Sequence, residues 1–415
     1  MNFFLGIDFG TSGARAMVID AQRTIQVQSQ YPWVSNSTRD LPATWQQALL
    51  SLIEQIPQKI RRDIKAIAID GTSSTVLLCD RWGKPVAEPL LYHDARGLVV
   101  REKLQAIAPP HQVVLSATSS LAKLLWWESE QKTAQDYYFL HQADWLAFLL
   151  HGKLGISDYH NALKLGYDPQ QMCYPSWMEK LVVKPILPQV LTPGTPVSEI
   201  TGEIADRLGL QRHCLVCAGT TDSIAAFLAS GAKLPGEAVT SLGSTLVLKL
   251  LSRHRVDNAQ YGIYSHRLGD NWLTGGASNT GGAVLRHFFT DAELVRLSSQ
   301  IDPHQESPLD YYPLLGVGDR FPVNDPHLQP KLEPLPPQAV AFLHGLLESM
   351  ARIEARGYEL LQQLGATPLT QVYTAGGGAK NPAWTAIRER HLQVPILPPI
   401  SSEAAYGTAI LALGN

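Results

Sequence analysis

The feature that most constrains the fold is a pattern that occurs twice, at residues 7–19 and 240–250. The two segments read IDFGTSGARAMVI and TSLGSTLVLKL, and in each an apolar run leads through glycine and hydroxyl residues into a second apolar run. Such runs are typical of buried strands, and glycine with small polar residues is typical of a tight turn. Each segment therefore predicts a β-hairpin, and the repeat predicts two related domains facing each other across a cleft.

Strand-like and helix-like segments alternate along the rest of the chain, which favours an α/β architecture. The sequence IKAIAID at 64–70 predicts a buried strand, and the longest helical pattern spans 338–365. Small residues, glycine and proline gather at 230–237. We therefore expect an N-terminal domain of residues 1–232 and a C-terminal domain of residues 233–415.

Composition excludes several classes of protein. The chain has 415 residues, 45% hydrophobic and 17% charged, so compact domains are expected rather than disorder. The net charge of −3 gives no positive field for nucleic acid or an anionic membrane surface. No apolar run has the length of a membrane span, and no signal peptide is apparent, so we expect a cytoplasmic protein. The oligomeric state stays open between monomer and homodimer.

Cysteine usage favours core packing over metal or redox chemistry. Cys214 and Cys217 form a C-x-x-C pair, but they lie in HCLVCAG, which predicts a buried strand. Residues three apart on a strand point to opposite faces, which does not suit two ligands of one metal. We interpret them as small core residues, with a zinc or redox site as the alternative.

The turn of the first hairpin has the composition of a phosphate-binding loop. Gly10 and Gly13 let the backbone approach a ligand, while Thr11 and Ser12 add hydroxyl groups beside exposed N–H groups. This is not a P-loop, because no Gly-Lys-Ser/Thr follows and the chain enters a strand. The local sequence leaves open the alternative of an ordinary hairpin with glycine in its turn.

Seven segments, taken in order along the chain, carry a resemblance to one family. They are DFGTSGAR (8–15), PLLYHDAR (89–96), AKLLWWESE (122–130), ISDYHNALKLGYD (156–168), CAGTTDSIAA (217–226), SLGST (241–245) and AGGGAKNPAW (375–384). Together they resemble the FGGY carbohydrate kinases of the actin/Hsp70/hexokinase superfamily. The resemblance implies an α/β fold of two ribonuclease H-like domains facing across a catalytic cleft. It also implies ATP and Mg²⁺ as cofactors and a small sugar as substrate.

The resemblance implies catalytic and metal-binding roles for two carboxylates. Asp222 follows a predicted strand and precedes a predicted helix, and we assign it as the general base for the sugar hydroxyl. Its alternative role is the N-cap of that helix. Asp8 lies beside the first loop, where it would hold waters of Mg²⁺, an ion that retains its own waters, and Asp222 is a second candidate for the metal.

Three loops would bind the nucleotide according to the same resemblance. The two hairpin turns would donate to its phosphates, and the loop after the strand QVYTA would contact adenosine. A plain strand-to-helix turn is the alternative for this last loop. The cofactor-binding candidates are Gly10, Thr11, Ser12, Gly13, Gly243, Ser244, Thr245, Gly376, Gly377, Gly378 and Asn381.

Asp94 and Arg96 are the first candidates for the sugar, because a carboxylate and a guanidinium can each bridge vicinal hydroxyls. A surface ion pair is the alternative. His93 and Tyr92 would add contact area. Taken together, the substrate-binding candidates are Asp8, Thr72, Ser73, Ser74, His93, Asp94, Arg96 and Asp222.

The segment after IKAIAID bears on which sugar is preferred. Many xylulose kinases have Gly-Gln-Met-His there, whereas this chain has Gly71, Thr72, Ser73 and Ser74. Short hydroxyl side chains reach less far than an amide or an imidazole, so contacts to one end of xylulose would be lost. The alternative is that these hydroxyls only cap the next element.

We therefore expect an ATP-dependent kinase of a pentulose, with D-ribulose favoured, that forms the sugar 5-phosphate and ADP. Kinases of D-xylulose, glycerol or a hexulose are the nearest alternatives. A non-catalytic sugar and ATP sensor, or an ATPase related to actin or Hsp70, is a more distant one.

Overall fold

The computed structural model describes residues 1–33, 40–110, 112–181, 183 and 185–414. Contacts divide the chain into two units, Met1–Ala229 with Glu403–Asn415, and Ser230–Ser402. The predicted division near residue 232 stays a prediction. Residues 404–413, however, lie in the first unit, although the sequence-based division placed them in the second domain.

The first unit contains a mixed sheet with the strand order β3-β2-β1-β4-β10-β9, and β11 lies beside the end of β4. Strands β1 and β2 form the predicted first hairpin, and β1 pairs in parallel with β4. The pairs β5-β6 and β7-β8 form two small separate sheets. The strands of this unit are β1 (Phe3–Phe9), β2 (Gly13–Asp20), β3 (Ile25–Pro32), β4 (Ile64–Gly71), β5 (Val76–Cys79), β6 (Tyr138–His141), β7 (Ile156–Asp158), β8 (Gln189–Leu191), β9 (Pro196–Glu199), β10 (Leu215–Cys217) and β11 (Thr220–Thr221).

Helices of the first unit pack through apolar residues at helical spacing. Trp45 and Leu49 of the first helix join Trp145 of the fifth in the main core, together with alternate residues of β1 such as Leu5. The fourth helix packs on β5 and β6 in a second core. These helices are α1 (Leu41–Glu54), α2 (Gln58–Arg61), α3 (Arg101–Gln105), α4 (Ser120–Ser129), α5 (Gln142–His151), α6 (Tyr159–Ala162), α7 (Gly202–Leu208) and α8 (Asp222–Ser230), with 3-10 turns at Arg96–Val100, Val113–Leu115, Leu163–Leu165 and Ser176–Lys180.

The second unit repeats the same plan. Its sheet has the order β14-β15-β13-β12-β16-β17; β12 and β13 form the predicted second hairpin, and β12 pairs in parallel with β16. The long helix predicted at 338–365 is present and supplies much of the core. The elements are β12 (Glu237–Leu242), β13 (Leu246–Ser252), β14 (His266–Leu268), β15 (Asn271–Ser278), α9 (Gly282–Phe288), α10 (Asp291–Ser298), α11 (Ala339–Gln363), β16 (Gln371–Ala375), α12 (Pro382–Leu392) and β17 (Ile396–Leu397), with 3-10 turns at Ala259–Tyr261 and Gly377–Lys380.

Glycines allow the last helix, α13 (Ala404–Leu413), to lie directly on the sheet of the first unit. A Cβ on Gly6 of β1 would overlap the backbone of Ala409, and a Cβ on Gly407 would overlap the carbonyl oxygen of Ala225 in α8. The adjoining core is made of small residues such as Ala66 and Ala68. This close approach requires glycine at both positions, because any side chain would separate the backbones.

Candidate active site

Three carboxyl groups gather where the parallel strands of the first unit end. Asp8 of β1 lies opposite Asp70 of β4, and Asp70 lies opposite Thr220 of β11, two residues before Asp222. Parallel strands end at the same edge of a sheet, and this register places all three carboxyl groups there. Asp222 is the first residue of α8, and its Oδ1 accepts the N–H of Ser223 at 2.6 Å.

Burial makes this edge difficult to ionise fully. Asp8 is 4% exposed, and burial, reinforced by the Asp222 carboxylate, raises the pKa of Asp8 to about 6. The charge of Arg15, whose Nη1 lies 3.7 Å from Oδ2 of Asp8, opposes this rise. Asp70 is fully buried, and burial together with the nearby Asp8 raises its pKa well above the usual range. Thr408 of α13 donates a hydrogen bond to Oδ2 of Asp70.

These pKa shifts predict how stability depends on pH. A carboxyl group with a raised folded-state pKa favours folding below its unfolded pKa, and that contribution is lost as pH rises through the folded pKa. In Asp70→Asn the amide can accept from Thr408 and donate to Asp8 without ionising. We expect the Tm of Asp70→Asn minus the Tm of wild type to increase by several degrees between about pH 5 and pH 8, when both are measured without Mg²⁺ or nucleotide. About 1 kcal/mol of stability corresponds to roughly 2–4 °C in Tm.

The control for this comparison is Asp136→Asn, at an exposed carboxylate of the same unit. Its Tm should follow that of wild type across the whole pH range. A difference between Asp70→Asn and wild type that stays constant with pH would contradict the titration of Asp70.

The first loop is a tight turn held by its own backbone. The N–H of Gly10 donates to the carbonyl of Gly13 at 3.0 Å, and the indole of Trp33 donates to the carbonyl of Gly10 at 3.0 Å. Thr11 and Ser12 at its tip are exposed. A Cβ on Gly13 would lie 2.8 Å from the carbonyl oxygen of Tyr31, so packing alone explains that glycine.

The segment after β4 forms a second turn, in which the N–H of Thr75 donates to the carbonyl of Thr72 at 3.0 Å. The Thr72 hydroxyl lies 2.5 Å from that of Thr75 and donates to Oε1 of Gln142 at 3.2 Å. Ser74 is 2% exposed, has a left-handed φ of 65° and has a buried hydroxyl without a hydrogen-bond partner. Ser73 is the more accessible of the three predicted sugar contacts.

Asp94 and Arg96 form a bidentate ion pair, with Nε and Nη2 of Arg96 at 2.8 and 2.6 Å from Oδ2 of Asp94. This is the arrangement that the alternative interpretation of the two residues predicts. The guanidinium also lies over the ring of Trp126, 4.7 Å from its centre. His93 and Tyr92 are exposed beside the pair. Sugar binding by Asp94 and Arg96 stays a prediction.

A buried lysine joins the two predicted sugar segments. Nζ of Lys123 in α4 donates to the carbonyl oxygens of Ser74 at 2.7 Å and Leu91 at 2.6 Å. The side chain is fully buried, and burial lowers the pKa of Lys123 to about 7, against the opposing charge of Asp94. The structure therefore brings the segments around Thr72–Ser74 and His93–Arg96 together.

Residues of the DYHNA segment support the strand that precedes Asp222. The amide of Asn161 donates to Oδ2 of Asp158 at 2.6 Å and to the carbonyl of Thr220 at 3.1 Å. Nδ1 of His160 lies 2.7 Å from the hydroxyl of Thr220. All these side chains are buried. The start of α6 thus fixes β11 immediately before the predicted base.

In the second unit, the turn between β12 and β13 is held by the start of α9. The N–H groups of Gly282 and Ala283 donate to the carbonyls of Gly243 and Ser244, at 2.8 and 3.1 Å. The side chains of Ser244 and Thr245 are exposed.

The glycine loop follows β16, which lies beside β12. Gly376 has a φ of 86°, and a Cβ there would lie 2.7 Å from the carbonyl oxygen of Leu242. A Cβ on Gly378 would lie 2.6 Å from the ring of Trp384, whereas Gly377 has open space around it. Asn381 caps α12 by accepting the N–H of Trp384 at 3.1 Å, and its amide donates to Ser298 at 2.8 Å.

Models of one protein family match both halves of the chain. The N-terminal domain of the FGGY family of carbohydrate kinases matches residues 3–229, and the C-terminal domain of that family matches residues 238–414. The chain belongs to the FGGY family of carbohydrate kinases. It is therefore an ATP-dependent phosphotransferase with two α/β domains, and its substrates are ATP and a sugar, as expected from the sequence.

Individual relatives of this kinase are distant but align over nearly its whole length. A gluconokinase of Bacillus subtilis is 21% identical, with 99% of this chain and 87% of that protein aligned. A xylulose kinase of Staphylococcus epidermidis is 21% identical, with 98% and 87% aligned. The crystal structure of a xyloylose kinase from Brucella ovis has a TM-score of 0.87 at 22% identity and covers 99% of this chain and 90% of that one.

The glycines of the predicted nucleotide loops differ in the space around them. Packing or backbone conformation explains Gly13, Gly376 and Gly378, but a Cβ would meet no close contact at Gly377. The open space at Gly377 leaves room for a ligand to lie against bare backbone.

The carboxyl groups at the acidic edge decide whether this site fits Mg²⁺. Among the residues that the structure describes, no group of three or more His, Cys, Asp or Glu side chains is arranged to hold a metal ion. The buried carboxylate of Asp8 can still accept hydrogen bonds from metal-bound waters, which suits Mg²⁺ because this ion keeps several of its waters.

Four residues of the site were not assigned a role from the sequence, namely Asp70, Thr75, Lys123 and Gln142. Asp70 is the last residue of the predicted buried strand IKAIAID, and a carboxylate at that position could have indicated a site residue from the sequence. The contacts of Lys123, by contrast, join segments distant in the chain, which no local pattern reveals.

Cys214 and Cys217 are buried, as the packing interpretation predicts, and they belong to two different hydrophobic clusters. None of the helices in the described part of the chain has the length and apolarity needed to span a bilayer.

Proposed function

We propose that this kinase transfers the γ-phosphoryl group of ATP to a pentulose, preferably D-ribulose, and forms the sugar 5-phosphate and ADP. The observation that carries the proposal is the edge where Asp8 and Asp222 lie at the ends of β1 and β11, the parallel strands that both pair with β4. Two carboxylates at this edge, where Asp8 precedes the loop of Thr11 and Ser12, would provide a proton acceptor and a partner for the metal.

In this proposal Asp222 accepts the proton of the attacking sugar hydroxyl. Its position at the start of α8, after a strand fixed by Asn161 and His160, orients the carboxylate before the substrate binds. Burial of Asp8 and Asp70, together with the nearby charge of Asp222, raises the pKa of both buried carboxyl groups and disfavours full ionisation of the edge. Arg15 partly neutralises the charge.

The phosphate groups would be held by backbone N–H groups and hydroxyls of Thr11, Ser12, Ser244 and Thr245, and adenosine would lie on Gly377. Bound Mg²⁺ would neutralise charge that develops on the transferred phosphoryl group. Asp8 would orient the metal through its waters. No lysine is required, because backbone donors and the metal together balance the charge.

The preference for D-ribulose rests on the turn after β4. The Thr72 hydroxyl is already engaged by Thr75 and Gln142, and Ser74 is buried, which leaves Ser73 as the most accessible residue of the three. An amide and an imidazole at these positions would reach further. D-xylulose is the second candidate, because relatives of this chain are named xylulose kinases.

A sugar panel tests both candidates. We expect kcat/KM for D-ribulose to exceed that for D-xylulose, glycerol and gluconate, because mispairing of one buried polar group is worth on the order of 1–3 kcal/mol. ADP release is measured for each compound, and NMR of the product locates the phosphate. A higher kcat/KM for D-xylulose would sink the D-ribulose assignment, and activity with none of the pentuloses would sink the pentulose assignment.

We also propose that the enzyme works in the cytoplasm. Its free cysteines are compatible with a reducing compartment, and ATP is available there.

A further inference from the structure

Two four-residue turns carry the predicted sugar contacts of the first unit. In the turn at 72–75, the N–H of Thr75 donates to the carbonyl of Thr72 at 3.0 Å. In the turn at 91–94, the N–H of Asp94 donates to the carbonyl of Leu91 at 2.9 Å. Each turn is local, and neither hydrogen bond determines the distance from one turn to the other.

Two contacts join the turns near their bases. The backbones of Val76 and Leu90 pair with each other at 3.0 Å in both directions, and the N–H of Tyr92 donates to the hydroxyl of Thr75 at 3.1 Å. Among the described residues, Lys123 adds a side-chain link between the two turns. Its Nζ donates to the carbonyl of Ser74 in the first turn and to that of Leu91 in the second.

The geometry of this link favours a fixed separation. Nζ of Lys123 is fully buried, and both of its hydrogen bonds are short, at 2.7 and 2.6 Å. Breaking either bond would leave buried polar groups unpaired, which costs free energy. Ser74 also holds a left-handed φ of 65°, which is strained for a residue other than glycine. Its carbonyl is one of the two that Lys123 binds.

We propose that Lys123 is a positioning residue for sugar binding, which sets the separation between the turn at 72–75 and the turn at 91–94. Lys123 is itself buried and does not touch the sugar. It acts on affinity through Ser73, His93 and Asp94, which the two turns carry. This inference rests on the proposed function in one respect, because it takes these turns to be the sugar-binding ones.

The test compares Lys123→Met with wild type in steady-state kinetics on the sugar that gives the highest kcat/KM in the panel. We expect the KM for the sugar to rise about 10- to 100-fold, since small misplacements of binding groups have effects of this order, while the KM for ATP stays within about twofold. Hydrogen–deuterium exchange of the free enzyme should be faster in both turns. Lys103→Met, at an exposed lysine of the same unit, is the matched control and should change neither quantity.

Two results would overturn the proposal. One is a sugar KM that stays within about twofold of wild type, and the other is a parallel rise of the KM values for sugar and ATP, which indicates general loss of structure. Should Lys123→Met not fold, Lys123→Gln takes its place with the same criteria, since its amide can still donate one hydrogen bond.

The exchange measurement separates this proposal from the proposed function. If wild type phosphorylates none of the sugars, the proposed function fails, and exchange in the two turns alone decides the role of Lys123. Faster exchange confined to both turns in the variant then supports the link, and unchanged exchange overturns it.

Discussion

Replacing Asp222 by asparagine lowers sugar-dependent turnover by about two to four powers of ten, the usual contribution of a positioned general base. The amide has the size of the carboxylate and can still accept the N–H of Ser223, so the start of α8 keeps its geometry. It cannot accept a proton from the sugar hydroxyl. The expected loss therefore lies in kcat, while the affinity for ATP changes little.

The measurement combines kcat from ADP release with the dissociation constant of ATP from calorimetry. Asp136→Asn is the control, because it removes an exposed carboxylate of the same unit and should leave both quantities unchanged. Turnover of Asp222→Asn within a few-fold of wild type would leave the helix cap as the role of this residue.

Replacing Glu354 by alanine destabilises the second unit by about 3–5 kcal/mol, because it leaves Arg388 charged and unpaired in the core. Nε and Nη2 of Arg388 donate to Glu354 at 2.6 and 2.7 Å, and the two side chains are 0% and 1% exposed. The pair also reaches the sheet, since Thr240 of β12 donates to Glu354 at 2.6 Å and Arg388 donates to Thr374 of β16 at 2.8 Å. These strands lead into the two nucleotide loops predicted in this unit.

Denaturation with urea, followed by intrinsic fluorescence, gives the free energy of unfolding of each variant. The double variant Glu354→Met, Arg388→Met should recover most of the lost stability, because it leaves no uncompensated charge. A double variant less stable than Glu354→Ala would show that the cost arises from packing rather than from the unpaired arginine.

Local patterns were enough to predict the repeated hairpins and the long helix. The segments at 7–19 and 240–250 specify strand, turn and strand within a few residues of one another, and α11 repeats its apolar positions over many turns. The phosphate-loop interpretation of both turns and the role of Asp222 stay predictions.

The contacts that shape the candidate site join residues far apart in the sequence. Thr408 and Asp70, which share a hydrogen bond, are 338 positions apart, and Lys123 reaches a carbonyl 49 positions away. The ion pair of Asp94 and Arg96 joins residues that are close in the sequence, and the sequence analysis gave it as the alternative to sugar binding. A single sequence shows periodicity and spacing but not which distant side chains meet, so Asp70 and Lys123 received no role.

The position of α13 makes the order of synthesis matter for this kinase. Residues 404–413 leave the ribosome after the whole second unit, yet they cover the face of β1 that contains Gly6 and pack against α8 through Gly407. Until then, a newly made first unit exposes a strip of small apolar residues, and Asp70 lacks the hydroxyl of Thr408. The hydrogen bond from Thr408 to Asp70 at the acidic edge can therefore form only after the second unit has been translated.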